Sequence, residues 1–139
     1  ATYDAATGTL TPTTPLSEGE HKLSYTLTDA AGNESDPSPA LTLTVNTTAP
    51  TAPILTLAED TGLADGITSN DTVNVTGLEP GATWEYRTDG GAWLPGGSST
   101  SFNLPEGKYT AGQVEVRQTD AAGNVSQVGQ LPATTIDKT

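Results

Sequence analysis

The 139-residue chain has no cysteine and no methionine, one histidine, one phenylalanine, two tryptophans, and five basic side chains against 17 acidic ones. Without cysteine there can be no disulfide staples, thiolate zinc sites, cysteine nucleophiles or iron–sulfur clusters. A lone His21 offers no histidine cluster, so any bound cation must be held by oxygen, which suits hard cations and Ca2+ above all. A net charge of −12 leaves few groups to neutralise phosphates, so neither nucleic acid nor an anionic membrane surface is an expected partner. No apolar run approaches bilayer length, and no basic-then-apolar segment resembles a signal peptide, so a soluble segment without membrane insertion is expected. Only 33% of the residues are hydrophobic, which implies a thin core and little room for a large catalytic cleft.

What the chain does have is an internal repeat. Thr28-Asp29-Ala30-Ala31-Gly32-Asn33 recurs letter for letter as Thr119-Asp120-Ala121-Ala122-Gly123-Asn124, an offset of 91 residues. Leu23 with Val114, Tyr25 with Val116 and Asn46 with Asp137 keep that spacing, whereas Leu16-Ser17-Glu18-Gly19 matches Leu104-Pro105-Glu106-Gly107 at an offset of 88. About three extra residues in the second copy therefore belong in a loop. Alternating apolar residues mark strands at Leu23, Tyr25 and Leu27, at Leu41, Leu43 and Val45, and in the second copy at Val73 and Val75, Trp84 and Tyr86, Phe102 and Leu104, and Val114 and Val116. Glu79-Pro80-Gly81, Asp89-Gly90-Gly91 and Pro95-Gly96-Gly97 read as turns between them. No helical period is sustained. The expected fold is all-β, a tandem of immunoglobulin-like β-sandwich repeats, one complete and one partial. The boundary falls in Asn46-Thr47-Thr48-Ala49-Pro50-Thr51-Ala52-Pro53, a stiff proline linker, giving the later part of one domain plus linker at residues 1–49 and a complete domain at residues 50–139. The early strands of the first copy, equivalent to Ile54 through about Val75, are expected from elsewhere.

The repeated loop sets an Asp and an Asn four residues apart around a glycine, a spacing that suits calcium ligands and equally suits a turn in which Asp caps amides and Asn takes a left-handed backbone. A second acidic stretch, Glu59 to Asp71, offers Asp60, Asp65 and Asp71 just after the linker, without the closing Glu of an EF-hand. Loops cluster at the ends of a sandwich, so Asp29 and Asn33 of the first copy and Asp60, Asp65 and Asp71 of the second are the candidate ligands of a cation clamping the joint. Asp120, Asn124 and Asp137 form the corresponding half-site for a following domain. Catalysis is not expected: a nucleophilic triad would need His21, which lies between Glu20 and Lys22, and sugar-stacking aromatics are scarce, with Trp84 assigned to the core and Trp93 to a partly exposed hairpin.

These motifs resemble the bacterial Ig-like repeats of very large Gram-negative surface adhesins of the biofilm-associated and RTX type. The resemblance is carried by Ala58-Glu-Asp-Thr-Gly62, Asp65-Gly-Ile-Thr68, Asn74-Val-Thr-Gly77, Gly81-Ala-Thr-Trp84, Phe102-Asn-Leu-Pro105, Val116 through Ser126 and Thr135-Ile-Asp137. It implies extender repeats of an adhesin exported by type I secretion to the bacterial cell surface, supporting cell adhesion and biofilm formation. It also implies Ca2+ at interdomain joints, neighbouring Ig-like domains of the same polypeptide as partners, and host or surface ligands reached through other modules. Asn46 stands where the second copy has Asp137, which implies a weaker joint. The alternative is a split Ig-like domain displaying an inserted carbohydrate- or peptide-binding module.

Overall fold

The computed structural model describes the whole chain, Ala1–Thr139, and every regular element in it is a β-strand. The chain divides into two compact units, Ala1–Thr47 and Thr48–Thr139.

In unit 1, β1 (Thr2–Asp4) and β2 (Thr9–Thr11) form one antiparallel ribbon, and β3 (Gly19–Leu23) and β4 (Leu41–Val45) form another. The alternation at Leu23, Tyr25 and Leu27 predicts a half-buried strand. The structure instead ends β3 at Leu23 and leaves residues 24–27 outside any strand, with Tyr25 and Leu27 exposed. Tyr25 and Leu27 bond through their backbones to Ser38 and Ser35 in place of a regular ladder, and strand backbone needs both a ladder and a covered face to be stable. Leu41 and Leu43, also expected to be half-buried, are exposed although β4 is paired with β3, because backbone pairing does not by itself cover a sheet face.

Unit 2 supplies both partner and cover. Its strands are β5 (Ile54–Leu57), β6 (Ile67–Thr68), β7 (Thr72–Thr76), β8 (Thr83–Thr88), β9 (Leu94–Pro95), β10 (Ser101–Asn103), β11 (Gly107–Tyr109), β12 (Val114–Thr119), β13 (Gly129–Gln130) and β14 (Thr134–Ile136). One sheet runs β10-β7-β5, a second β13-β12-β8-β9, and a third β11-β14-β6, in which β6 pairs parallel to β14. Period-two alternation points Leu55, Val73, Val75 and Phe102 of the first sheet and Trp84, Val114 and Val116 of the second into one core, joined by Leu104, Leu131 and Ile136. Phe102 stacks on Tyr86 with ring centroids 4.2 Å apart and lies 6.1 Å from Trp84, tying the two sheets together. This is the immunoglobulin-like architecture that the strand pattern predicts.

The turns follow their sequences. Pro80 and Gly81 occupy the centre of a turn closed from Ala82 N–H to the Glu79 carbonyl at 3.1 Å, with Gly81 at φ 80° as a type II turn requires. Asp89 and Gly90 both have positive φ, 54° and 65°, which gives the strand-matched turn of the β8–β9 hairpin.

Candidate cation-binding loops

The two copies of the repeated loop fold identically. Asp29 Oδ1 accepts from the backbone N–H of Ala31 at 2.9 Å and of Asn33 at 2.8 Å, while Asn33 Nδ2 donates to Asp29 Oδ2 at 2.9 Å. In the second copy Asp120 Oδ1 accepts from Ala122 N–H at 2.9 Å and Asn124 N–H at 2.8 Å, and Asn124 Nδ2 donates to Oδ2 at 2.9 Å. The left-handed position belongs to Gly32 (φ 88°) and Gly123 (φ 94°), where sequence reasoning had offered Asn. Each Asp therefore closes its own turn. The Asn33 amide holds the Asp29 carboxyl below the usual carboxylate range, followed by the Asn33 backbone N–H, and the Asn124 amide does the same for Asp120.

The likeness extends beyond the loop. Leu27 and Ser35 exchange hydrogen bonds, Ser35 N–H to the Leu27 carbonyl at 2.8 Å and Leu27 N–H to Ser35 Oγ at 2.9 Å, and Gln118 and Ser126 do so at 2.9 and 3.0 Å. His21 Nε2 donates to the Ser17 carbonyl at 2.6 Å, where Tyr109 in the second copy donates its hydroxyl to the Pro105 carbonyl at 2.8 Å. His21 thus braces a strand entry.

In the acidic stretch, Asp60 Oδ2 accepts from Gly66 N–H at 2.9 Å, and Asp65 Oδ1 accepts from Ile67 N–H at 3.0 Å, so both carboxylates shape one loop. Thr68, fully buried, anchors that loop by donating to the Glu59 carbonyl at 2.7 Å. Asp60 Oδ1 is buried and has no hydrogen-bond partner, the one such side-chain atom in the protein. A buried carboxylate oxygen without a donor is costly. A water O–H or a cation would each satisfy it, so this oxygen is compatible with an oxygen-held ion. Asp71 is engaged otherwise: Lys138 Nζ donates to Oδ2 and Asn103 Nδ2 to Oδ1 at 2.6 Å, and these contacts, Lys138 first, hold its carboxyl below the usual range. Asp137 Oδ1 accepts from the N–H and hydroxyl of Thr139 at 3.0 and 2.8 Å, which lowers its carboxyl too. Pairing of β6 with β14 brings Asp137 beside Thr68, its N–H donating to the Thr68 carbonyl at 2.9 Å. Within either unit, no three acid or histidine side chains converge to a metal-sized cluster.

Two features went unmarked in the sequence reading. Gln118 is completely buried, donating from Nε2 to the carbonyls of Thr51 at 2.7 Å and Gly77 at 3.0 Å and accepting at Oε1 from Glu79 N–H at 2.8 Å. On the outer face of the β8–β12 pair, Arg87 meets Glu115 at 2.7 Å and Arg117 meets Glu85 at 3.0 Å, with both guanidinium groups 4.2–4.4 Å from the centre of the half-buried Trp93 ring. The alternation Glu85, Arg87 and Glu115, Arg117 was the available signal. It needs the β8–β12 register to become a set of pairs.

Residues 1–48 match the family of bacterial Ig-like domains. That domain type is typical of surface proteins and generally non-catalytic. No curated protein matches the chain.

Proposed function

We propose that this chain is a pair of extender repeats from a large bacterial surface adhesin, exported by type I secretion, whose role is reach and calcium-dependent stiffness in support of adhesion and biofilm formation. The observation that carries the reading is the repetition itself: one loop, with one hydrogen-bond pattern, in two successive units, the first of which matches the bacterial Ig-like family. A spacer has no use for a catalytic cleft and every use for a unit that can be copied. Its partners are then neighbouring Ig-like domains, with host or surface ligands met by other modules.

The same reading assigns Ca2+ to the acidic loops that flank the linker in sequence. Asp60 is the central ligand, because its orphaned Oδ1 gains the partner it lacks, with Asp65 of the same loop as a further oxygen donor; the repeated loops, Asp29 and Asn33 in one unit and Asp120, Asn124 and Asp137 in the other, are each assigned a half-site of their own. The ion would supply charge neutralisation in a chain of net charge −12. Thermal unfolding with Ca2+ and with excess chelator tests this. A ligand that binds only the folded state at 100 times its Kd stabilises by about 2.7 kcal/mol. The expected result is a rise of several degrees with Ca2+ that Asp60→Asn removes. Equal midpoints in Ca2+ and chelator would overturn the calcium assignment and leave a plain spacer.

A further inference from the structure

Five of the six asparagines stand two positions ahead of a Ser or Thr with a residue other than Pro between: Asn33-Glu-Ser35, Asn46-Thr-Thr48, Asn70-Asp-Thr72, Asn74-Val-Thr76 and Asn124-Val-Ser126. Ser and Thr fill 35 of the 139 positions, so chance spacing alone would place far fewer than five. The Asn-x-Ser/Thr triplet is the acceptor signature for N-linked sugar.

Four of the five asparagines are engaged within the fold. Asn33 and Asn124 donate their amides to Asp29 and Asp120, while Ser35 and Ser126 accept the backbone N–H of Leu27 and Gln118. Asn70 Oδ1 accepts from Thr72 N–H at 3.0 Å, and Asn46 is engaged as well. Asn74 differs from all of them. It lies in the middle of β7, itself the middle strand of the β10-β7-β5 sheet, and neither its side-chain amide nor the Thr76 hydroxyl makes a hydrogen bond within the protein. The strand period sends Val75 into the core, 2% exposed, and leaves Asn74 and Thr76 together on the outer face. Across that face Asn74 stands between Thr56 of β5 and Ser101 of β10, with Thr72 and Thr76 beside it along β7. None of these neighbours is charged, in a chain with 17 acidic and five basic side chains. Hydroxyls set around a free amide offer partners to sugar hydroxyls, whereas the core is filled from the opposite side of the same strands by Leu55, Val73, Val75 and Phe102.

We propose that Asn74 is an acceptor for N-linked sugar, modified on the newly made chain with a nucleoside diphosphate sugar as donor. The step forms a bond from Asn74 Nδ2 to the anomeric carbon and breaks that carbon's bond to the diphosphate oxygen. The nucleoside diphosphate leaves with the electron pair, and the transferase takes the amide proton. Once folded, β7 is flanked by β5 and β10 and cannot enter an enzyme cleft as a free segment, so modification precedes pairing. The folded sheet accommodates the product, because a sugar on Asn74 projects away from the core over Thr56 and Ser101 and adds a hydrated layer there. Neither calcium nor a neighbouring module is required.

The test produces the full chain in a bacterial host with and without a soluble N-glucosyltransferase that uses UDP-glucose, and locates added hexose by peptide mass spectrometry. The expected result is a hexose on Asn74 in the folded, purified protein, lost in Asn74→Gln and Thr76→Ala and kept in Thr76→Ser. Hydrogen exchange of β7 should be the same with and without the sugar. Hexose at other triplets but not at Asn74 would overturn the proposal, as would an unmodified chain beside full modification of a free peptide carrying Asn74-Val75-Thr76 under the same enzyme. A chain modified at Asn74 whose β7 amides exchange freely would also overturn it, since the fold would then reject the sugar.

Discussion

Gln118 carries an outsized share of unit 2 for a polar side chain. Fully buried, it bonds the Thr51 and Gly77 carbonyls and the Glu79 N–H, so it pins both the start of the unit and the β7–β8 turn to β12. Gln118→Leu keeps the volume, and copies the residue that unit 1 has at this place, but orphans three backbone groups. The expected cost is about 2–4 kcal/mol, since each unsatisfied buried group costs about 1–3 kcal/mol and some will find water. Urea titration should show a lower midpoint with an unchanged slope. Gly129 is constrained differently. A Cβ there would overlap the backbone carbonyl of Pro53, which has no rotamer by which to move aside. Gly129→Ala is expected to lose about 1–3 kcal/mol by overpacking, visible as a lower thermal midpoint.

At the scale of elements, the acid side chains set the pH dependence. Asn124 holds Asp120 low, Lys138 holds Asp71 low, Thr139 holds Asp137 low and Arg87 holds Glu115 low. Each folded-state value lies below its unfolded one, so the stabilisation is fully present above the ordinary carboxylate range of about 4 and disappears as pH falls through the depressed values. Urea midpoints are therefore expected to be flat from about pH 7 to 5 and to drop below about pH 4, with Asp71→Asn flattening that drop. Moderate salt keeps the general repulsion among the 17 acidic groups from masking it. The strands of unit 2 were legible in the sequence because a period of two is a local signal and Pro-Gly and Asp-Gly turns carry their own geometry. The state of Tyr25 and Leu27 was not, because alternation says which side faces a core and not whether anything lies there. Nor could the letters of the repeated loop tell a ligand from a cap, since both uses want the same Asp. Only coordinates show both oxygens of Asp29 turned onto their own turn. Gln118 continues the inward alternation of Val114 and Val116, which the sequence reading ended at Val116, and its three backbone partners come from segments far away in sequence.

Across the whole molecule, stability is unevenly distributed. All ten buried hydrophobic residues of the core belong to unit 2, while most large apolar side chains of unit 1 stay in water. Burial of apolar area is the main favourable term in folding, so unit 2 is expected to unfold cooperatively and unit 1 to open at far lower cost. Hydrogen exchange should show strong protection in β7, β8 and β12 and little in β1 to β4. Equal protection in the two units would contradict this ordering. The aromatic residues happen to divide along the same line. Both tryptophans lie in unit 2, Trp84 with its indole N–H on the Ser99 carbonyl and Trp93 against two guanidinium groups, whereas Tyr3 and Tyr25 are the only aromatic side chains of unit 1 apart from His21. Light absorbed at the red edge of the aromatic band thus excites unit 2 alone, and unit 1 answers only through tyrosine. Tyr86 and Tyr109 add the tyrosine signal of unit 2 to that of Tyr3 and Tyr25, so it is the tryptophan band that gives one unlabelled sample a melting curve for unit 2 by itself.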